Sequence, residues 1–231
     1  MSVLPDRWQY SLTVLKRLQG WRERECPICG YQGRFHGSGH PPRYDSVCGG
    51  CGSRERHRLF KLAMDQRPFA RGQVLHFAPD RALIPLLCEL GTYQSADIRP
   101  GVADLVLDIE HIDLPDATMD LVVANQVLEH VDDIAALAEI YRILKLGGQF
   151  IATVPLVEGW AETYENPAID SDAGRSLHFG QSDHIRYYGR DFATRLADAG
   201  FEVESFVPGG AETVRFGLMP GERIFLATRP E

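Results

Sequence analysis

The sequence contains no uninterrupted apolar run near the roughly 18 residues that a membrane-spanning helix needs, which excludes a helical membrane protein. Its first residues, MSVLPDRWQYSLTVLKRLQGWRERE, break their apolar positions with charges, so they lack the core of a secretory signal. The expectation is a cytoplasmic protein with no membrane partner. Cysteine is scarce, five residues in 231, and four of the five share one short segment, which excludes a disulfide-dense secreted scaffold. A third absence is more telling. The stretch VLHFAPDRAL, Val74 to Leu83, looks like a buried strand turning into a helix, yet it holds no glycine. A dinucleotide cofactor needs glycines there, so that backbone amides can crowd a pyrophosphate at the helix N-terminus. That class of ligand is therefore disfavoured.

What is present suffices for one α/β domain and a small appendage: 231 residues, 44% of them hydrophobic. The net charge of −8 hides an uneven distribution. Residues 1–72 hold 13 Lys+Arg against 6 Asp+Glu, whereas the remainder holds 11 against 26. A basic front end on an acidic body could face an anionic partner such as RNA or a carrier protein. The plainer reading is that the two halves attract each other.

The clustered cysteines read Cys26-Pro-Ile-Cys29, then, after 18 intervening residues, Cys48-Gly-Gly-Cys51. Two such knuckles match a tetrahedral Zn²⁺ site, because each turn aims two thiolates at one point. Four thiolates leave no open coordination position, so the metal is expected to be structural. Gly30 and Gly52 directly follow the knuckles, where positive φ lets amides approach sulfur. His36, His40 and His57 are nearby substitutes that nothing requires, and Cys88, in IPLLCEL, reads as a buried apolar position. The domain reading is an N-terminal helix over 1–22, a four-cysteine ribbon over 23–58 and a body over 59–231. Within this, residues 7–20 form an amphipathic helix, and a second helix begins at Ser53 as N-cap.

From Gln73 onward, β-rich runs alternate with helical stretches, the pattern of a doubly wound parallel sheet. Strands are expected at 73–77, 93–97, 104–107, 119–124, 148–154, 202–207 and 223–228, and helices near 81–90, 132–145 and 190–199. Lys145 before Gly147-Gly148 marks the end of the middle helix, while Pro85 weakens the first. Strands two and three each end in a carboxylate, Asp97 and Asp108. In an open parallel sheet, ligands bind outside the carboxyl ends of the strands. Asp97 is placed to accept from both hydroxyls of a ribose; Asp108, with Ile109 beside it, would meet an adenine. The alternative is that either is a helix cap or a turn residue.

The segment MDLVVANQVLEHVDD, followed by LAEIYRILKLGGQFIATVP, resembles the fourth-to-fifth-strand region of class I S-adenosylmethionine-dependent methyltransferases of the type 11 kind, with Leu146 in place of a usual proline. CGSRERHR, HFAP and FGQ-x-DH-x-R-x-YG extend the resemblance to a bacterial group that joins a four-cysteine zinc ribbon to such a body. The implied fold is a Rossmann-like seven-stranded sheet, and the implied cofactor, S-adenosylmethionine, carries no phosphate and so needs no glycine-rich turn. The implied binding residues are His76, Phe77, Ala78, Pro79, Asp97, Ile98, Asp108, Ile109, Asn125 and Gln126, with His76 or Asp80 addressing the amino-acid end.

From Pro155 to Arg190 runs a long connection without an obvious regular element, as expected of a lid or binding loop. It gathers Trp160, Glu162, Tyr164, His178, Asp183, His184 and Arg186. A hydroxyl acceptor must lose its proton, which suits a histidine oriented by a carboxylate. The candidates are His178 or His184 as base, Asp183 or Glu162 as its partner, Tyr164 nearby, and Arg186 steering an anionic part of the substrate. The alternative is that Asp183, His184 and Arg186 merely tie the lid down. His130 reads as structural or as a wall of the cofactor pocket, and His111 as a surface residue. The expected acceptor is a small molecule, at oxygen before nitrogen. The rivals are an RNA methyltransferase, since large-subunit ribosomal RNA guanine methyltransferases also carry such a ribbon, and a non-catalytic binding protein of the same fold.

Overall fold

The structure, a computed structural model, describes residues 19–39 and 43–231. It divides into two compact units, one made of the described residues up to Gln66 with Pro208–Glu222, the other of Arg67–Val207 with Arg223–Glu231. Most of the expected 1–22 helix lies outside the described residues, as does His40, but Gln19 onward is strand. Among the described residues, no helix is long and apolar enough to cross a membrane.

The first unit is a three-stranded antiparallel sheet of β1 (Gln19–Glu25), β2 (Gln32–Ser38) and β3 (Arg43–Val47), followed by helix α1 (Glu55–Gln66). The helix starts later than the sequence suggests, because Ser53 is engaged elsewhere: its hydroxyl lies 3.2 Å from Cys51 Sγ and its backbone oxygen accepts from Cys48 N at 2.9 Å. The segment 208–222, read from sequence as part of the body, packs in this unit through Arg58. That arginine is fully buried. Its guanidinium donates to the carbonyls of Ser53 at 2.6 Å, Phe216 and Gly217 at 2.7 Å, Asp45 at 3.1 Å and Ser46 at 3.2 Å. It also lies 4.6 Å over the Phe35 ring. Desolvation lowers its pKa, but five carbonyl dipoles and a planar fork of donors suit a charged guanidinium.

The second unit is built on seven strands of one sheet and a two-stranded ribbon beside it. In chain order the strands are β4 (Gly72–Phe77), β5 (Gly91–Asp97), β6 (Leu105–Val106), β7 (Met119–Asn125), β8 (Leu144–Thr153), the ribbon pair β9 (Tyr164–Glu165) and β10 (Arg186–Tyr187), then β11 (Glu202–Phe206) and β12 (Ile224–Thr228). The large sheet has the order β11-β12-β8-β7-β4-β5-β6. Strands β4 to β8 are parallel, while β12 runs antiparallel to both β8 and β11. The doubly wound seven-stranded sheet is therefore present, but it is mixed at one side. A parallel pair needs a crossover on the sheet, whereas the chain between β11 and β12 belongs to the other unit and returns to pair as a hairpin would.

Helices α2 (Ile84–Cys88), α3 (Asp133–Ile143), α4 (Asp172–Phe179) and α5 (Phe192–Asp198) lie between strands, and Leu128–His130 is a single 3₁₀ turn after β7. Pro85 sits at the start of α2, where a missing N–H does no harm. Cys88, at its end, is exposed instead of buried. Asp132 caps α3 by accepting from Ile134 N and Ala135 N, and its apolar face (Ala136, Leu137, Ile140, Ile143) enters the core with Leu75, Val122, Phe150 and Phe225. The helix stops short of the expected Lys145: Leu144 is already extended, β8 begins there, and Lys145 pairs with Asp120 at 2.7 Å.

Replacing Arg58 with Met should strand five carbonyls and destabilise the chain by about 3 kcal/mol or more. A lysine, with three donors on one atom, should restore less than half of that. Thermal melts followed by circular dichroism test this, and an unshifted Arg58→Met transition would contradict it.

Candidate active site

The parallel register sets Phe77 beside Ala96 and Ala124, so the turns after β4, β5 and β7 open on one edge of the sheet. There they surround a cleft of about 600 Å³, within the usual range for small-molecule sites. Phe77 and Ala78 form its base; Asp97, Ile98, Arg99, Leu107, Asp108 and Ile109 form one wall; Gln126, Val127, His130 and Val131 form the other; Arg175 and Asp183 reach in from the connection after β8. Ala78 (φ 46°) and Gln126 (φ 57°) both adopt the left-handed conformation. Side-chain-bearing residues rarely do so, and such strain gathers at functional sites. The glycine-free turn is thus made by an alanine held where a glycine would rest easily.

Asp97 is buried at the tip of β5 and accepts from Arg99 through the backbone N at 2.9 Å, Nε at 3.0 Å and Nη2 at 3.1 Å. The hydrogen-bonded Arg99 side chain holds the Asp97 carboxyl below the usual carboxylate range. Arg99 itself is 71% exposed, and an ion pair with so open a partner yields readily to a better one. Asp108 Oδ1 accepts from Glu110 N at 2.9 Å, while Ile109 beside it is buried. Two acidic tips with the apolar Ile98, Leu107 and Ile109 between them fit a nucleoside, its sugar on Asp97 and its ring against the aliphatic wall.

Not every expected residue is on this wall. His76 is fully buried with Nδ1 3.1 Å from the Tyr93 hydroxyl, so it does not address a ligand in the cleft. Strand alternation explains this, since Phe77, one residue on, takes the cleft side. Asn125 accepts from Thr153 Oγ1 at 3.1 Å, and neither it nor Pro79 lines the cleft.

The connection 155–190 is more regular than its sequence suggests, since it contains β9, α4 and β10, with β9 and β10 paired antiparallel. Arg186 ties it down and cannot also steer a substrate. It is buried, Nη1 donates to the carbonyls of Val131 at 2.6 Å and Leu128 at 2.9 Å, and Nε donates to Glu165 at 2.8 Å. Arg195 and Asp133, 3.0 Å apart, and Tyr188, with its hydroxyl 3.0 Å from Asp133, complete the network. His178 is exposed, with Nδ1 2.7 Å from the Tyr164 hydroxyl, and neither residue lines the cleft. Glu162 and His111 are exposed.

The histidine on the cleft is His130, in the 3₁₀ turn after β7. Its Nδ1 lies 3.1 Å from the backbone oxygen of Asp183 and 3.5 Å from that residue's carboxylate. A carbonyl only accepts, so the proton sits on Nδ1 and Nε2 keeps its lone pair. His184 packs edge-on behind it, ring centroids 4.7 Å apart. Burial, and then the neighbouring His130, lower the pKa of His184. It therefore stays neutral and backs His130 instead of facing a ligand. Sequence reasoning missed Arg99 and Arg175 and gave His130 a passive place. The sequence signal for His130 is that it closely follows the 119–125 strand, much as Asp97 was singled out by a strand end.

In the first unit the four cysteine sulfurs fall within 4.8 Å of one another. Cys26 and Cys51 are 3.7 Å apart and Cys29 and Cys48 are 3.8 Å apart. Those separations are too long for a disulfide and equal the edge of a tetrahedron with metal–sulfur bonds of about 2.3 Å. The two knuckles repeat one geometry: Gly30 N donates to Cys26 O at 2.9 Å and Gly52 N to Cys48 O at 3.0 Å, both glycines with φ 72°. The arrangement fits a zinc ribbon. His57 is not part of it; its Nδ1 accepts from Arg54 N at 3.2 Å.

A Rossmann-like sheet with acidic strand tips around a nucleoside-sized cleft is similar to the architecture of methyltransferase domains. Comparison with known proteins agrees: the family model described as "Methyltransferase domain" matches residues 50–152 of this chain. A Mycolicibacterium smegmatis protein named "probable S-adenosylmethionine-dependent methyltransferase" is 31% identical over 113 residues, 48% of this chain and 37% of that protein. The malonyl-[acyl-carrier protein] O-methyltransferase of Serratia marcescens is 39% identical over 64 residues, 22% of this chain and 25% of that protein. The chain thus spans well under half the length of these curated relatives. Among solved structures, the S-adenosylmethionine-dependent methyltransferase from Mesorhizobium loti shares the fold with a TM-score of 0.51 and 14% identity, over 73% of this chain and 95% of that one.

Proposed function

We propose that this chain is an S-adenosylmethionine-dependent methyltransferase that methylates an oxygen of a small-molecule acceptor. The observation that carries the reading is the pair of carboxylates, Asp97 and Asp108, on neighbouring strand tips of one cleft with aliphatic side chains between them. S-adenosylmethionine supplies a methyl group on a positively charged sulfur. Asp97 accepts from the ribose hydroxyls once Arg99 yields. Asp108 and Ile109 face the purine, and Phe77 and Ala78 form the base beneath. An in-line displacement mainly needs alignment, and the tied-down connection 155–190 fixes Arg175 and Asp183 beside the cleft.

His130 is the base in this reading, in place of His178 or His184. Its Nε2 lone pair takes the proton of the acceptor hydroxyl, and the Asp183 carbonyl and carboxylate steady the imidazolium that forms. A cleft of about 600 Å³ speaks for a small acceptor. The Serratia relative's name, an O-methyltransferase, speaks for oxygen. The four cysteines hold a structural zinc ion, since all four positions of a tetrahedron are filled by thiolates.

Calorimetry with S-adenosylhomocysteine should give micromolar binding to the wild type and at least a tenfold loss, about 1.4 kcal/mol, in Asp97→Asn. No binding by the wild type, or tighter binding of a nicotinamide dinucleotide, overturns the reading. His130→Gln should slow turnover of a hydroxyl acceptor by roughly 10²-fold or more, with S-adenosylhomocysteine affinity unchanged. A rate within about threefold of wild type, well short of what a general base contributes, would remove His130 from the mechanism. Metal analysis should find one zinc per chain and none in Cys26→Ser/Cys48→Ser.

A further inference from the structure

Arg175 lies on α4 and reaches the cleft. Its Nε is buried with no hydrogen-bond partner. Arg223 and Arg229 also leave Nε unpaired, but their other nitrogens are engaged, with Glu158 and with the Leu144 carbonyl. Apart from the surface-exposed Arg81, every other described arginine of the second unit likewise meets a carboxylate or a backbone carbonyl, including Arg99 with Asp97, Arg142 with Glu139 and Arg195 with Glu165. The shortage is not of carboxylates, which greatly outnumber cations after residue 72, and Asp170 and Asp172 are close in sequence. Of the acids that share the cleft with Arg175, Asp183 is engaged with His130, Asp97 with Arg99 and Asp108 with the Glu110 backbone N–H.

The helix that carries Arg175 is held at both ends. Ser171 caps it by accepting from Gly174 N at 3.2 Å, and Phe179 is fully buried before Gly180 turns the chain in the left-handed conformation. Arg175 stands on an anchored helix, lines a ligand-sized cleft and meets no carboxylate or backbone carbonyl, and a guanidinium so placed can grip an oxyanion through two parallel N–H···O bonds.

We propose that Arg175 binds a carboxylate or phosphate of the methyl acceptor, making the acceptor an anionic hydroxy compound. This rests on the methyltransferase reading above, and it gives to Arg175 the steering role that the buried Arg186 cannot fill. The acceptor's oxyanion sits on Arg175. Its hydroxyl oxygen forms the new O–CH₃ bond as the S–CH₃ bond breaks, the electron pair of that bond stays on sulfur, and the proton goes to His130 Nε2.

Calorimetric titration of the full chain with malonate, with and without saturating S-adenosylhomocysteine, tests the inference. Malonate should bind the wild type with millimolar affinity, at least about tenfold more weakly to Arg175→Ala, and with an affinity between those two to Arg175→Lys, which keeps the charge but not the fork. S-adenosylhomocysteine affinity should change less than about twofold in both variants, since Arg175 contacts the acceptor alone. Equal malonate binding by wild type and Arg175→Ala overturns the inference. So does an Arg175→Ala loss of affinity for S-adenosylhomocysteine that is absent for 5′-methylthioadenosine, because the oxyanion would then be the cofactor's own carboxylate. If the wild type binds no S-adenosylhomocysteine, the methyltransferase reading falls, while Arg175-dependent malonate binding without it still upholds the anion subsite.

Discussion

The parallel pairing of β4 with β5 and β7 is the constraint on which the site depends. Because these three strands run in one direction and in the observed register, Ala78, Asp97 and Gln126 all emerge at one edge. Parallel strands end together, so the backbone groups freed at their tips and the acidic residues after them share one mouth. Reversing any one strand would send its terminal residue to the far edge of the sheet. The antiparallel β12 does no harm here, since it lies beyond β8 and contributes nothing to the cleft.

A second arrangement shapes the other side of the mouth. Arg186, Arg195, Asp133, Glu165 and Tyr188 make a network in which each buried charge meets an opposite charge or a carbonyl. Such a network is expensive to leave half-made, so it pins β9 and β10 in place. Asp183 stands just ahead of β10 in the chain and is fixed with it, which is how its carbonyl comes to face His130. The same logic governs the first unit, where Arg58 satisfies five carbonyls that belong to β3, the second knuckle and the segment after Gly210. In both places a buried arginine is the joint between segments distant in sequence.

The legible part of the site was the part made of local pattern. The cysteine knuckles are two short turns whose geometry depends on neighbouring residues. Asp97 and Asp108 follow directly from strand ends. His76 looked equally promising by position but fell on the wrong face, since adjacent strand residues point to opposite sides and nothing near Val74 says which side is open. His184 and Arg186 were singled out for their chemistry, and burial took them out of reach of a ligand. His130 reads from sequence as structural or as a wall of the pocket, and it does line the cleft, whereas Arg175 carries no sequence signal, because its place depends on which surfaces α4 and the 3₁₀ turn bring together.

By itself the sequence determined the alternation of strands and helices, the four-cysteine spacing and the acidic strand tips, all of which depend on residues within a few positions of one another. Tertiary structure decided the antiparallel return of β12, the membership of 208–222 in the ribbon unit, and the placement of His130 on the cleft where His76, His178 and His184 are not. Those outcomes turn on burial and on contacts between residues as far apart as 53 positions for His130 with Asp183 and 158 for Arg58 with Phe216. No local pattern encodes which of several chemically suitable side chains will face the cleft.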